Sequence, residues 1–165
     1  MQALNCLKKE LIFIFRQKEE LSVLRQLSKE MRSMLEDDED KNVTFIIENK
    51  PIKAHKSVLK ARSEFFNAMF ASGMRESQNL EIPLPDATYD AFKAFLEYLY
   101  TGTCSIPDVH LAEDIFICAN QFAAFKLKDY CERELIKAVT NISNVDLLLQ
   151  YLEMADVYQV RENVS

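Results

Sequence analysis

Two glycines are the entire supply of unrestricted backbone in this 165-residue chain, and only four prolines accompany them. Glycine reaches left-handed conformations without steric cost, and together with proline it punctuates loops and tight turns. A chain this poor in both is predicted to be helix-rich with few tight turns. The same scarcity argues against nucleotide chemistry, because phosphate cradles need glycine-rich loops that two isolated glycines cannot build. A substantial core is available: 48% of the residues are hydrophobic, 11 of them Phe. At this length roughly 70% of the unfolded surface can be buried.

Hydrophobic periodicity divides the chain. Over residues 1–35, Leu4, Leu7 and Leu11 recur at helical spacing, as do Leu24, Leu27, Met31 and Met34. The two sets do not share one phase, which predicts two helices or a break near Lys18. The run Leu11-Ile12-Phe13-Ile14-Phe15 reads as helix or as a short strand. The acidic run Glu36 to Asp40 ends the pattern, since negative charge opposes the dipole at a helix C-terminus. Val43 to Ile47 has the composition of a buried strand, and Asn49-Lys50-Pro51 is expected to turn the chain into a second strand, Ile52 to Ala54. Two short helices follow, carrying Val58 and Leu59, then Phe65, Phe66, Met69 and Phe70. Leu80, Ile82 and Leu84 alternate as a half-buried strand that Pro83 places at an edge or bulge. Thr88 is expected to cap a helix with the face Phe92, Phe95, Leu96 and Leu99, which Gly102 stops. Helical stripes then run through Leu111, Ile115, Cys118 and Phe122, and through Leu127, Tyr130, Cys131 and Leu135. A last one follows Ser143-Asn144 with Val145, Leu148, Leu149 and Leu152. The predicted class is α+β, a small mixed β-sheet flanked by helices, helix-dominant.

Charge and chemistry narrow the function. The net charge is −6, and no basic stripe is present to neutralise phosphates, so direct nucleic-acid binding is not expected. The longest early apolar run, Leu11 to Phe15, is far short of the roughly 20 residues of a membrane helix, and no secretory signal precedes it. The sequons at Asn42, Asn141 and Asn163 are therefore read as chance matches. Cys6, Cys104, Cys118 and Cys131 stand far apart with no CxxC pair, and neither His55 nor His110 has metal-ligand spacing to them. They read as buried apolar groups in a reducing cytosol or nucleus. No catalytic constellation emerges. His55 lacks a spaced nucleophile and carboxylate and reads as structural, and a Cys131–His110 pair has no motif behind it. No enzyme activity, metal or cofactor is predicted.

Several ordered motifs carry a family resemblance: Val43-Thr44-Phe45-Ile46-Ile47, then Ile52-Lys53-Ala54-His55-Lys56-Ser57-Val58-Leu59, Ala61-Arg62-Ser63-Glu64-Phe65-Phe66, Met69 to Ser77, and Tyr98-Leu99-Tyr100-Thr101-Gly102. In this order they resemble the BTB/POZ family, over about Leu24 to Tyr158. The resemblance implies a BTB/POZ domain at 24–140, an N-terminal helical extension at 1–23, possessed by this chain or ending another domain, and an incomplete 3-box-like helical extension at 141–165. It implies a homodimer in which Leu24, Leu27, Met31, Met34 and Leu35 pack against the twin helix. Many members also exchange a first strand across the dimer, which is what a strand at Leu11 to Phe15 would represent. Asn42 departs from the family's usual Asp, and it can accept a hydrogen bond but cannot pair ionically with Lys56.

The loop Met74-Arg75-Glu76 resembles the hydrophobic-x-Glu pattern of family members that recruit cullin-3. There an exposed Met can fill an apolar pocket on a partner and a Glu can fix the register. The 3-box-like segment would extend that surface, with Phe122 and Phe125 lining a groove between it and the domain. The resemblance therefore implies a cytoplasmic or nuclear, non-catalytic adaptor that binds the cullin-3 N-terminal domain. By holding both, it would raise the effective concentration of a substrate protein at an E3 ubiquitin ligase. A dimerisation and corepressor-binding module of a transcriptional regulator, and an assembly scaffold, are the alternatives.

Overall fold

The computed structural model describes residues 2–71 and 80–140. Its elements are α1 (Gln2–Glu36), β1 (Val43–Ile47), β2 (Lys50–Ala54), α2 (Lys56–Arg62), α3 (Glu64–Ala71), β3 (Leu80–Pro83), α4 (Tyr89–Thr101), α5 (Val109–Gln121) and α6 (Phe125–Thr140). The sheet has the order β2-β1-β3, with β1 antiparallel to β2 and parallel to β3. Phe45 sits opposite Ile52 on one side and Ile82 on the other. One face of β1, with Val43, Phe45 and Ile47, is fully buried and packs on the helices. This is the small mixed sheet in a helical shell that the sequence implied.

The rings of Phe45, Phe66, Phe92, Phe95 and Phe122 form the centre of the core, all of them fully buried. Phe66 stacks on Phe122 at 5.2 Å between centroids, and Phe45 meets Phe92 edge-on at 4.8 Å. Residues from β1, α3, α4 and the end of α5 therefore share one cluster. Ser63 locks the same corner: its hydroxyl donates to the Phe122 carbonyl (2.7 Å) and accepts from the Phe66 amide (3.3 Å).

Three local expectations are corrected. α1 is one continuous helix with no break at Lys18, and Leu11 to Phe15 is helical, not a strand. Residues 2–36 contain no Gly or Pro and are mostly strong helix formers, so nothing in the chain interrupts the backbone ladder. The phase change alters which face is apolar, not the helix. The β1–β2 turn is Glu48–Asn49, both at positive φ (50° and 60°), with Lys50 already paired to Ile47. That is the two-residue hairpin whose twist matches the strands. Thr88 occupies the start of α4 without bonding its amides, its hydroxyl donating instead to Asp114 on α5 (3.1 Å). Gly102 ends α4 in the left-handed region (φ 76°), as expected.

His55 is the polar hub between strand and helices. Its amide donates to the Tyr100 hydroxyl oxygen (2.8 Å), that hydroxyl lies 2.8 Å from Nδ1, and Nε2 lies 3.2 Å from the Glu39 carbonyl. One arrangement satisfies all three: Tyr100 donates to Nδ1 while Nε2–H donates to Glu39. Asn42 Oδ1 accepts from the Lys56 amide (2.8 Å), so Asn42 caps α2 through a neutral hydrogen bond. Tyr100→Phe leaves the buried His55 amide and Nδ1 without their partner, and is expected to lower unfolding stability by about 1–3 kcal/mol. Urea denaturation at pH 7.5 measures this, and a change below about 0.5 kcal/mol would refute the hub.

Candidate protein-interaction surfaces

Among the described residues, exposed apolar side chains gather mainly on two surfaces. The first is α1. Only its last turns dock: Met31 and Leu35 are half-buried against the core, and Arg32 pairs with Glu97 of α4 at 2.6 Å. Lys41, its side chain nearly buried, donates to the Leu35 carbonyl in the last turn of the helix (2.6 Å) and to the Asp38 carboxylate (2.9 Å). Hydrogen bonds from Lys41 and then Lys53 hold the Asp38 carboxyl below its ordinary range. Ahead of this anchor the helix leaves the domain. Leu24 and Leu27 are 61% and 53% exposed, and Met34 is also exposed. Of the five residues expected at a dimer face, Leu24, Leu27 and Met34 thus lie open, while Met31 and Leu35 serve mainly their own core. Between α1 and the domain runs an apolar groove of about 990 Å³, walled by Leu21, Leu24 and Leu27 on one side and Val58, Ala61 and Leu99 on the other.

The second surface is the corner of α3 and α6. Phe125 is 61% exposed at the start of α6, and Phe65 on α3 is also exposed with its inner edge on Phe122 (5.3 Å). A cleft beside them is lined by Arg62, Glu64, Asn67, Phe125 and Lys126. Phe122, expected to face a partner, is a correction. It is fully enclosed by Phe65, Phe66, Phe92 and Phe95, so it shapes this corner from beneath and cannot touch a partner. Met74, Arg75 and Glu76 lie outside the described residues, as does the 3-box-like segment. α3 ends at Ala71, so a three-residue span, at most about 11 Å, separates its end from Met74. Ser63 and Tyr100, which help position the two surfaces, stand in the family motifs but carry no individual role in the sequence reading; Ser63 ahead of Glu64 is a helix-capping signal that could have been read.

The chemistry of the buried groups is unreactive. Burial, aided by the neighbouring Asp114, pushes the Cys118 thiol up to about 12. Burial, aided by Cys104, does the same for Cys131, also to about 12, and Cys104 itself rises to about 11. His110 is exposed beside Glu113 at 3.7 Å, and Cys131 is fully buried. No group of three metal-ligating side chains occurs among the described residues, and no described helix is long and apolar enough to cross a membrane. The thiols set a pH dependence. Their folded values lie above the ordinary value of 9.0, so the neutral form is favoured by folding. That contribution is complete below about pH 9 and is lost as the pH rises toward 12. The urea midpoint under reducing conditions is expected to change little below about pH 8.5 and to fall progressively from pH 9 to pH 10.5; a flat profile across that upper range would contradict the burial of these thiols.

The comparisons agree with this architecture. The BTB/POZ domain family model matches residues 31–139. Human BTB/POZ domain-containing protein 9 is 36% identical over 129 residues, which is 76% of this chain and 21% of that protein. BTB and MATH domain-containing protein 42 of Caenorhabditis elegans is 38% identical over 122 residues, 73% of this chain and 30% of that protein. The chain thus spans well under half the length of these relatives. Among solved structures, the BTB domain of human gigaxonin aligns with a TM-score of 0.54 at 15% identity, covering 65% of this chain and 88% of that one. The BTB domain of zebrafish PATZ1 aligns at 0.54 and 20%, covering 74% and 94%. These two support the fold alone. With sheet order, helical shell and family match in agreement, the chain belongs to the BTB/POZ domain family, a fold that serves as a protein–protein interaction module.

Proposed function

We propose that this protein is a homodimeric adaptor that binds the N-terminal domain of cullin-3 and brings a substrate protein to an E3 ubiquitin ligase, in the cytoplasm or nucleus. BTB domains typically self-associate, and the open apolar face of α1 is where that association would occur. The observation that carries the cullin reading is the exposed aromatic pair Phe65 and Phe125 at the α3–α6 corner, where Phe65 stands on the helix that precedes Met74 in the chain. A partner helix laid across this corner would cover two aromatic rings, and Met74 would supply a further apolar contact. Burial of an apolar side chain of this size contributes roughly 1.5–3 kcal/mol. Glu76 would then fix the register with a hydrogen bond or ion pair at the rim. The adaptor itself would make and break no bonds; its effect is local concentration.

Calorimetric titration with the cullin-3 N-terminal domain tests this. Wild type is expected to bind; Met74→Ala/Glu76→Ala is expected to lose binding, and Phe125→Ala to weaken it about tenfold or more without changing the unfolding midpoint. A folded dimer that does not bind would sink the adaptor reading and direct attention to peptide ligands of the α1 groove.

A further inference from the structure

Beyond Phe125 the surface changes from apolar to basic. On α6, Lys126, Asp129, Tyr130 and Arg133 recur at spacings of three and four and so share one helix face. That face meets the end of α4 across a cleft of about 390 Å³, whose other wall includes Tyr98, Thr103 and Cys104. A second cleft, of about 410 Å³, also has Tyr98 and Lys126 in its walls and continues past Arg62, Lys60 and Asn67 of α2 and α3. The two adjoin as one trough, with Tyr98 and Lys126 at the junction.

Its charge runs against that of the chain. The net charge is −6, yet four of the six charged residues lining the trough are cations: Lys60, Arg62, Lys126 and Arg133, against Glu64 and Asp129. Among the described residues none of these four cations is ion-paired, whereas Arg32, Lys41, Lys53 and Lys137 each have a carboxylate partner. Two of the four are nonetheless held in place. Arg62 Nε donates to the Leu99 carbonyl (3.0 Å), and the Arg133 guanidinium lies over the Tyr130 ring at 5.9 Å. The trough thus presents fixed positive charge that the domain itself leaves without a counter-ion.

We infer that this trough binds an extended acidic peptide segment of a partner protein. Lys126 and Arg133 stand two helical turns apart, roughly 10 Å along the axis. An extended chain covers about the same distance in three residues, so side-chain carboxylates at i and i+3 reach both cations. Arg62, in the adjoining cleft, continues the line toward α2. Glu64 and Asp129 fit a peptide as well, since each can accept a hydrogen bond from a backbone N–H. A phosphate backbone offers no such donor and would meet the two carboxylates as like charges. Gly102 leaves open space where a side chain would stand, which lets a ligand backbone approach the end of α4. Binding here requires neither cullin-3 nor a second copy of the chain.

Fluorescence anisotropy of the full chain with a labelled peptide carrying Glu at every third position is the test, with helix content checked by circular dichroism. Wild type is expected to bind at about 50 mM salt and to weaken at least about tenfold by about 300 mM. The same peptide with Gln for Glu is expected not to bind. Lys126→Glu and Arg133→Glu, both at exposed positions, are each expected to weaken binding about tenfold or more. Lys93→Glu, which reverses an exposed cation of α4 outside the trough, is expected to leave it within about twofold. Absence of binding at the lower salt, equal binding of the Gln peptide, or equal effects at Lys93, Lys126 and Arg133 would each overturn the site. A thymidine oligonucleotide of the same charge that binds as tightly as the Glu peptide would overturn the assignment to a peptide.

Discussion

The stack of Phe66 on Phe122, wedged between Phe45, Phe92 and Phe95, is the contact on which the remaining structure depends. It joins the central strand to three helices distant in sequence, and each buried aromatic ring carries a large share of the hydrophobic free energy of a small domain. Its consequences reach the surface. Because Phe122 is held inside, Phe65 can rest one edge on it while leaving its other side in solvent, and α6 begins just beyond with Phe125 turned outward. Ser63 bonds both the Phe66 amide and the Phe122 carbonyl, so the aromatic centre and the exposed corner are tied to each other. A partner meeting this corner would find preorganised rings, which reduces the ordering cost of binding.

Polar groups perform the corresponding task on the other side. His55, Tyr100 and the Glu39 carbonyl tie the α1–β1 connection to the end of α4, and Lys41 caps the Leu35 carbonyl in the last turn of α1. With Arg32 on Glu97, they fix the direction in which the long helix leaves the domain. Every hydrogen-bonding atom of this hub has a partner, so it stabilises a unique geometry instead of imposing a desolvation cost. The groove below α1 is a result of that direction: the helix departs at an angle that leaves Leu21, Leu24 and Leu27 facing Val58 and Leu99 across open space.

The order of elements was legible from local patterning, since Val43 to Ile47 alternates around a buried strand and the α4 face repeats at helical spacing. So were the structural character of His55 and the capacity of Asn42 to accept a hydrogen bond without pairing ionically. What could not be read locally were features decided by tertiary contact. Phe122 looks like any aromatic on a helix stripe, and its enclosure by four other rings depends on residues up to 57 positions away. Tyr100 gives no local sign of bonding residue 55. The continuity of α1 was misread for a different reason: a change in apolar phase marks a change of partner surface, whereas a break needs a residue that interrupts the backbone ladder.

α1 therefore joins an anchored end to an uncovered one, and the proposed homodimer requires a second copy to cover it. Amide hydrogen exchange of α1 as a function of protein concentration measures this most directly. Dimerisation through α1 predicts that protection over residues 9–28 rises as the concentration passes through the dimer dissociation constant, while protection in β1 and α4 stays constant. Rapid exchange over residues 9–28 at every concentration, in a sample shown to be dimeric, would contradict it.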